Sequence, residues 1–306
     1  MTTTPLIHIG YHKTATSWLQ QRVFQPETGF APVLSHQEVW DLIVRPHGLS
    51  FDPAPARALV SERIAGLADG LAPVISSEVL SGHPFFGGRG SEIYAARLEQ
   101  IFPGTRILVT IRNQFRIIPS VYMQYLQRGG TLTAAAFLSG IDEPGFHGFD
   151  AAHFHYDRLI GCYDTLFGDA NVHVLTQEAV ARDGEAAVAA LADFAGATRF
   201  QGLGPDAQSA YAPSYPESGA AILRRINHVR PSILNPVPVV SLGGGRKGIY
   251  AATGWLVRRS WARSLTGDGH PVRDVVAVRL AGQFRDSNRR LAQMRPDLDL
   301  SGYEGV

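Results

Sequence analysis

Cysteine is almost missing from this sequence: Cys162 is the single one in 306 residues. That excludes an intrachain disulfide and a zinc site built on cysteines, and it fits a reducing compartment. Long apolar runs are missing as well. No stretch approaches the roughly 18 uninterrupted apolar residues of a membrane-spanning helix. The first residues lead into an apolar strand without a charged segment followed by a long apolar one. The expectation is a cytoplasmic protein with no membrane span. Neither sign of charge is in excess, since 28 Lys and Arg stand against 27 Asp and Glu for a formal net charge of +1. No global basic field is available for nucleic acid or an anionic membrane, so any anion site has to be a local cluster. Low-complexity tracts and internal repeats are absent too.

What is present is the composition of a folded globule, 45% hydrophobic and 18% charged. The length allows a full hydrophobic core and suggests one domain over 1–306, with a core over about 1–200 and a helical, loop-rich elaboration over about 201–306. In the first half, short apolar runs alternate with amphipathic segments. That is the pattern of an α/β fold with a central parallel sheet flanked by helices. Strands are expected at Leu6–Gly10, Ala31–Ser35, Pro73–Ser77, Thr105–Ile111 and, last, Asn171–Thr176. Helices are expected at Thr16–Phe24, Ala56–Leu71, Ser91–Phe102, Ala152–Phe167, Gly184–Ala195, Pro216–His228 and Val275–Met294. A Pro- and Gly-rich stretch from Pro231 to Gly254 reads as a long loop.

The first strand runs straight into Tyr11-His12-Lys13-Thr14-Ala15-Thr16-Ser17, and a helix begins there with Trp18 in its first turn. Unpaired N–H groups and the positive end of the helix dipole converge at such a turn, so it attracts anions before any side chain is counted. Lys13 adds a full charge. The hydroxyls of Thr14, Thr16 and Ser17 are placed either to cap the helix or to donate to phosphate-type oxygens. A nucleoside-triphosphate P-loop would need Gly-x-x-x-x-Gly-Lys-Ser/Thr, but His12 occupies the place of the second glycine and Gly10 is too close.

The strand ending at Ile111 is followed by Arg112, where a nucleotide hydrolase would offer an aspartate for magnesium. Eight residues on comes Ser120, preceded by Pro119. Pro119 either opens a helix, which would put the Ser120 N–H and hydroxyl at an N-terminus, or kinks one already under way.

With these two motifs the sequence resembles the PAPS-dependent sulfotransferases, in particular bacterial members related to the glycan-modifying branch (PAPS is 3′-phosphoadenosine 5′-phosphosulfate). The segment from Ile9 to Gln20 is similar to that family's 5′-phosphosulfate loop, with Ala15 in the place of a common glycine. Arg112 and Ser120, followed by the pattern Ser-x-Tyr-x-Gln through Gln124, are similar to its 3′-phosphate site. The resemblance implies a P-loop-like nucleotide-binding core. It further implies PAPS as co-substrate with no metal, a carbohydrate or other small-molecule acceptor, and no nucleic-acid partner. His12, Lys13, Thr14, Ala15, Thr16, Ser17, Trp18, Arg112 and Ser120 would then hold the cofactor. Arg246, Lys247 and Gly248, in the glycine-rich part of the long loop, are similar to a triplet that closes over the 3′-phosphate.

In such chemistry Lys13 stabilises charge on the leaving phosphate, and a general base takes the acceptor's proton. Glu78 is the first candidate base, at the C-terminal end of the strand Pro73–Ser77 where open α/β sheets bind ligands. A role in capping the next turn or pairing with an arginine stands beside that reading. His36 and Glu38 are the alternatives. The aromatic residues Trp40, Phe85, Phe86, Tyr122 and Tyr125 either line an acceptor pocket or belong to the core. Two other functions are carried along: a nucleotide-dependent kinase of related fold, and a non-catalytic nucleotide-binding protein.

Overall fold

The computed structural model describes residues 4–141, 143–208, 216–238 and 269–306. Its five strands are β1 (Leu6–His8), β2 (Phe30–Leu34), β3 (Ala72–Ser76), β4 (Ile107–Ile111) and β5 (Val172–Thr176). The helices before β4 are α1 (Thr16–Trp18), α2 (His36–Val39), α3 (Ala54–Ala65) and α4 (Ser91–Ile101). Between β4 and β5 lie α5 (Gln114–Gln127), α6 (Ala134–Leu138) and α7 (Tyr156–Phe167). After β5 come α8 (Gln177–Arg182), α9 (Gly184–Ala195), α10 (Pro205–Gln208), α11 (Ala220–Asn227), α12 (Pro271–Arg279) and α13 (Arg285–Met294). Among the described residues no helix is long and apolar enough to cross a membrane.

The strands form one sheet in the order β2-β3-β1-β4-β5, and every pairing is parallel. A parallel sheet covered on both faces needs apolar side chains on both, and all five residues of β4 are buried. The two-residue period of a strand sorts these side chains. Ile7, Ile107, Val109 and Ile111 join a cluster with α4, α5, α7 and α13, while Leu6 and Leu108 join one with Leu19, Val23 and α9.

The connections decide where a ligand can sit. From β1 the chain moves to β2 on one side of the sheet, and from β4 it moves to β5 on the other. Adjacent strands whose connections diverge leave a crevice beyond their C-terminal ends. The ladder between them continues past β1, with Ile9 N–H donating to Leu108 O (3.0 Å) and Tyr11 N–H to Thr110 O (3.0 Å). His8, on β1, braces the two neighbouring strands from within: its Nδ1 lies 2.8 Å from Ser76 Oγ on β3 and its Nε2 3.0 Å from Thr110 Oγ1 on β4. Burial lowers the His8 pKa to about 4, against a smaller opposing effect of Glu78. The brace leaves no room at the next turn of the chain. A Cβ on Gly10 would lie 1.8 Å from Thr110 Oγ1 and 2.4 Å from His8 Nε2, so only glycine passes.

Five expected helices are modified, two of them simply: Ala56–Leu71 runs instead over Ala54–Ala65, and Pro216–His228 begins as a 3-10 turn over Glu217–Gly219 before α11. The span Val275–Met294 is two helices, because Gly282 takes a φ of 82° between them and the Glu304 carboxylate accepts from Gly282 N–H (2.6 Å) and Phe284 N–H (3.3 Å). Ala152–Phe167 begins as a 3-10 turn over Ala151–Phe154 and becomes α-helical only from Tyr156. The helix expected at Thr16–Phe24 is α1 continued by a π-helical turn over Leu19–Val23. Pro119 lies inside α5, whose N-terminus is capped by the Asn113 side chain accepting from Phe115 N–H. Ser120 is therefore nearly two turns into a helix and not at its start.

Candidate active site

The loop from Tyr11 to Ala15 is held by inward-facing hydroxyls. Thr14 Oγ1 donates to Tyr11 O (2.5 Å) and lies 2.7 Å from Thr110 Oγ1, and the Thr16 hydroxyl is 3.4 Å from both Tyr11 O and Thr14 Oγ1. Thr14 is buried, so its side chain shapes the loop from below and does not face the cleft. With the hydroxyls spent this way, the chain turns through two left-handed residues, Lys13 (φ 70°) and Ala15 (φ 66°). For residues with a Cβ that conformation costs about 1–2 kcal/mol each. The strain aims the backbone of the helix start outward. Leu19 N–H bonds back to Ala15 O, whereas Thr16, Ser17 and Trp18 open α1 with no acceptor behind them among the described residues.

These donors face a cavity of about 800 Å³ that follows the crevice between β1 and β4. Of the residues singled out in the sequence, His12, Lys13, Ala15, Thr16, Ser17, Trp18, Glu78, Arg112 and Ser120 all line it. Thr14 and His36 do not. Arg246, Lys247 and Gly248 lie outside the described residues.

Lys13 and Arg112 come from the ends of adjacent strands, and Arg112 Nη1 donates to Lys13 O at 3.4 Å. Tyr156 fixes the backbone there, its hydroxyl donating to Arg112 O at 2.6 Å. Loss of water lowers the Lys13 pKa, the Arg112 charge lowers it further, and Glu78 opposes both. Arg112 is shifted down as well, first by burial, with Glu178 opposing and Arg116 and Arg273 adding to the fall. Its Nε is buried without a hydrogen-bond partner. Two crowded cations, an orphaned guanidinium N–H and unpaired backbone donors on one cavity form a site that an anion would stabilise.

Across the cavity, Glu78 begins a 3-10 turn directly after β3 and Ser77. Gln20, on the π-helical turn, donates through Nε2 to Ser76 O (3.3 Å) and Glu78 Oε2 (3.4 Å), which ties the carboxylate to the helix that carries the anion loop. His36 is exposed at the start of α2 with its Nδ1 2.9 Å from Ser77 Oγ. Glu38 is committed elsewhere. It completes a capping box with Ser35 and takes both Arg63 nitrogens (2.9 and 2.7 Å), which hold its carboxyl at about 2.

Beside Glu78 lies a group of histidines that the sequence did not single out as a unit. The His12 and His83 rings are 5.4 Å apart, and His153 packs on Tyr11 at 4.8 Å. Burial above all, then the neighbouring rings and Lys13, lowers His12 to about 3; burial lowers His153 to about 3 in the same way. His83 is lowered by burial and by Arg128, with Glu78 opposing. His12 Nδ1 and His153 Nε2 are buried with no hydrogen-bond partner. Among the described residues no group of three or more His, Cys, Asp or Glu could hold a metal ion.

Of the five aromatic residues, Phe85, Tyr122 and Tyr125 belong to a ring cluster around Phe137 in the core. Trp40 and Phe86 are partly exposed, and Phe86 rests on His83 at 5.2 Å. The far wall of the cavity was not anticipated. It consists of Gln177 and the run from Val180 to Glu185 around the start of α9, together with Leu203 and Ala207, whose carbonyl accepts from Trp18 Nε1 at 2.7 Å. Position at the C-terminal end of β5 was the available signal for it.

No protein-family model matches this sequence, and no curated protein matches it. Solved structures do. A sulfotransferase from Alicyclobacillus acidocaldarius is 18% identical, with 78% of this chain and 97% of that one covered at a TM-score of 0.48. The sulfotransferase domain from the curacin biosynthetic pathway is 13% identical over 97% of this chain and 99% of that one, at 0.44. A mouse sulfotransferase complexed with PAP is 14% identical over 98% and 87%, at 0.40. Each of these three structures is a sulfotransferase.

Proposed function

We propose that this chain is a sulfotransferase that moves the sulfuryl group of PAPS onto a hydroxyl or amine of a small-molecule or carbohydrate acceptor. The observation that carries the reading is the pairing of Lys13 and Arg112 just past the ends of β1 and β4, over backbone N–H groups with no acceptor among the described residues. The residues fit a nucleotide with phosphate at both ends. The loop from Lys13 to Trp18 supplies donors for the 5′ side. Arg112, with its buried and unpartnered Nε, and Ser120 line the 3′ side.

Sulfuryl transfer forms a bond from sulfur to the acceptor atom as the bridging bond from sulfur to phosphate oxygen breaks. Lys13 faces the position where negative charge grows on the departing phosphate, and a fixed ammonium there lowers the barrier more than it tightens the ground state. Glu78, on the acceptor side of the same cavity, takes the acceptor's proton. Gln20 holds that carboxylate in place. His36 stands one residue away through Ser77 and is the alternative base.

Calorimetry with 3′-phosphoadenosine 5′-phosphate (PAP) and with ATP plus magnesium tests the donor class. PAP is expected to bind more tightly. Arg112→Ala is expected to weaken PAP by roughly 1.5–3 kcal/mol, the scale of a charge-assisted hydrogen bond, and to leave the 3′-dephosphorylated nucleotide nearly unchanged. Tighter binding of ATP with magnesium would favour a kinase and reject the reading.

A further inference from the structure

A second cavity of about 230 Å³ opens past Lys13 and Arg112 and runs along α5. Two of its residues, Arg116 and Arg273, have no part in the reading above. Arg112, Arg116, Ser120 and Gln124 recur at intervals of four, so they lie along one face of α5 and its lead-in, and all four line this cavity. Arg116 is exposed and has no side-chain partner among the described residues. Its carbonyl accepts from Ser120 Oγ at 3.1 Å, which fixes the two residues relative to each other.

Arg273 enters from the opposite wall, at the start of α12. Its N–H donates to Glu217 Oε2 at 3.0 Å, and its Nη2 is 3.8 Å from Glu217 Oε1, with His270 Nδ1 3.9 Å from that same oxygen. The Arg273 side chain keeps 46% of its surface exposed, so the pair is loose. Among the described residues Glu217 is the one carboxylate lining the cavity, against Lys13, Arg112, Arg116 and Arg273. Glu178, the carboxylate that opposes the fall of the Arg112 pKa, already accepts from Asn113 N–H (3.1 Å) and the Tyr303 hydroxyl (3.1 Å).

We infer that Arg116 and Arg273 join Arg112 in a three-guanidinium site for a terminal phosphate dianion, the 3′-phosphate of the nucleotide. The inference rests on the donor reading above. A phosphomonoester carries close to two charges and three strong acceptor oxygens, enough for three guanidinium groups where a carboxylate would serve one or two. An anion held between Arg112 and Ser120 passes Arg116, which stands midway between them on the same face. Glu217 holds Arg273 against the cavity, and the loose geometry of that pair leaves the guanidinium able to turn to a stronger acceptor.

The test is calorimetric binding of PAP and of adenosine 5′-monophosphate to the full chain, as wild type, Arg116→Ala, Arg116→Lys and Arg273→Ala. Arg116→Ala and Arg273→Ala are each expected to weaken PAP about tenfold and to leave the monophosphate unchanged, and Arg116→Lys to recover part of the loss. Both side chains are solvent-facing, and an unchanged thermal midpoint establishes that the variants fold. If wild type prefers PAP and the variants keep that preference, or lose affinity for both nucleotides equally, the three-guanidinium site is overturned while the donor reading stands. If wild type binds the two nucleotides equally, the donor reading itself falls and takes this site with it.

Discussion

On the α5 side of the cleft, Lys13, Arg112, Arg116 and Arg273 crowd together around the Glu217 carboxylate, whereas on the β3 side His12, His83 and His153 are packed so closely that burial favours their neutral form. The first region keeps its charges because Arg116 and Arg273 are exposed and because the ordinary pKa values of Lys13 and Arg112 lie far above neutral, even though burial lowers both. The second gives up its charges because it is dry. The contrast has a chemical consequence. With the imidazoles neutral, Glu78 faces Lys13 across the cavity without a competing cation from His12, so one end of the cleft suits an anionic donor and the other an acceptor proton. The two regions also store their cost differently: in left-handed backbone at Lys13 and Ala15, and in buried imidazoles that resist protonation.

The neutral end is the easier to break, and acid breaks it. A histidine whose folded pKa is depressed stabilises the fold fully only above its unfolded value near 6.5, and that stability is lost as pH falls toward the folded pKa. For His8, His12 and His153 the loss at pH 5 is about 2 kcal/mol each. The three losses fall in the same pH window and act in the same direction. Near-ultraviolet circular dichroism is expected to hold steady above pH 7, to weaken from about pH 6.5 downward, and to collapse between roughly pH 5 and 4. A fold stable down to pH 4 would mean that these rings are wetter than described.

Glu78→Gln keeps the shape of the side chain and removes its basicity, which tests the proposed role of Glu78 as base. Turnover is expected to drop by about 10²–10⁴, the range for one positioned acid–base group, with PAP affinity preserved. Near-normal turnover would move attention to His36→Asn. At the cationic end, Lys13→Ala is expected to lower turnover by about 10²–10³, the scale for removing one donor to a developing negative charge, and to affect nucleotide affinity far less. Equal losses in both would make Lys13 a binding residue only. The smallest effect sharpens the point about strain: Ala15→Gly is expected to raise stability by about 1 kcal/mol, because glycine meets no Cβ penalty at a φ of 66°. Thermal unfolding measures it, and a loss of stability would contradict the strained loop.

Much of the scaffold was legible because a buried parallel strand is a short apolar run. Ile107–Ile111 announces itself that way, and so does Val172–Thr176. The strand ends pointed to Lys13, Glu78 and Arg112 for the same reason. Harder to read was Thr14, whose hydroxyl looked available to a phosphate and in fact braces the loop from beneath. Pro119 was ambiguous between a helix start and a kink, and the Asn113 cap ahead of it decided the matter. Arg116 and Arg273 left no local mark at all. A single exposed arginine on a helix has the same pattern whether it faces solvent or a neighbouring cation.

The residues taken alone determined the α/β pattern, the anion-seeking turn after the first strand and the absence of a Walker loop, because each depends on periodicity or spacing over a few neighbours. Only the tertiary structure decided which distant residues meet. The strand order β2-β3-β1-β4-β5 brings Lys13 beside Arg112, Glu78 across from both, and Arg273 opposite Arg116. Parallel pairing joins segments far apart in the chain, and the direction of each side chain follows from backbone angles and packing that no local pattern encodes.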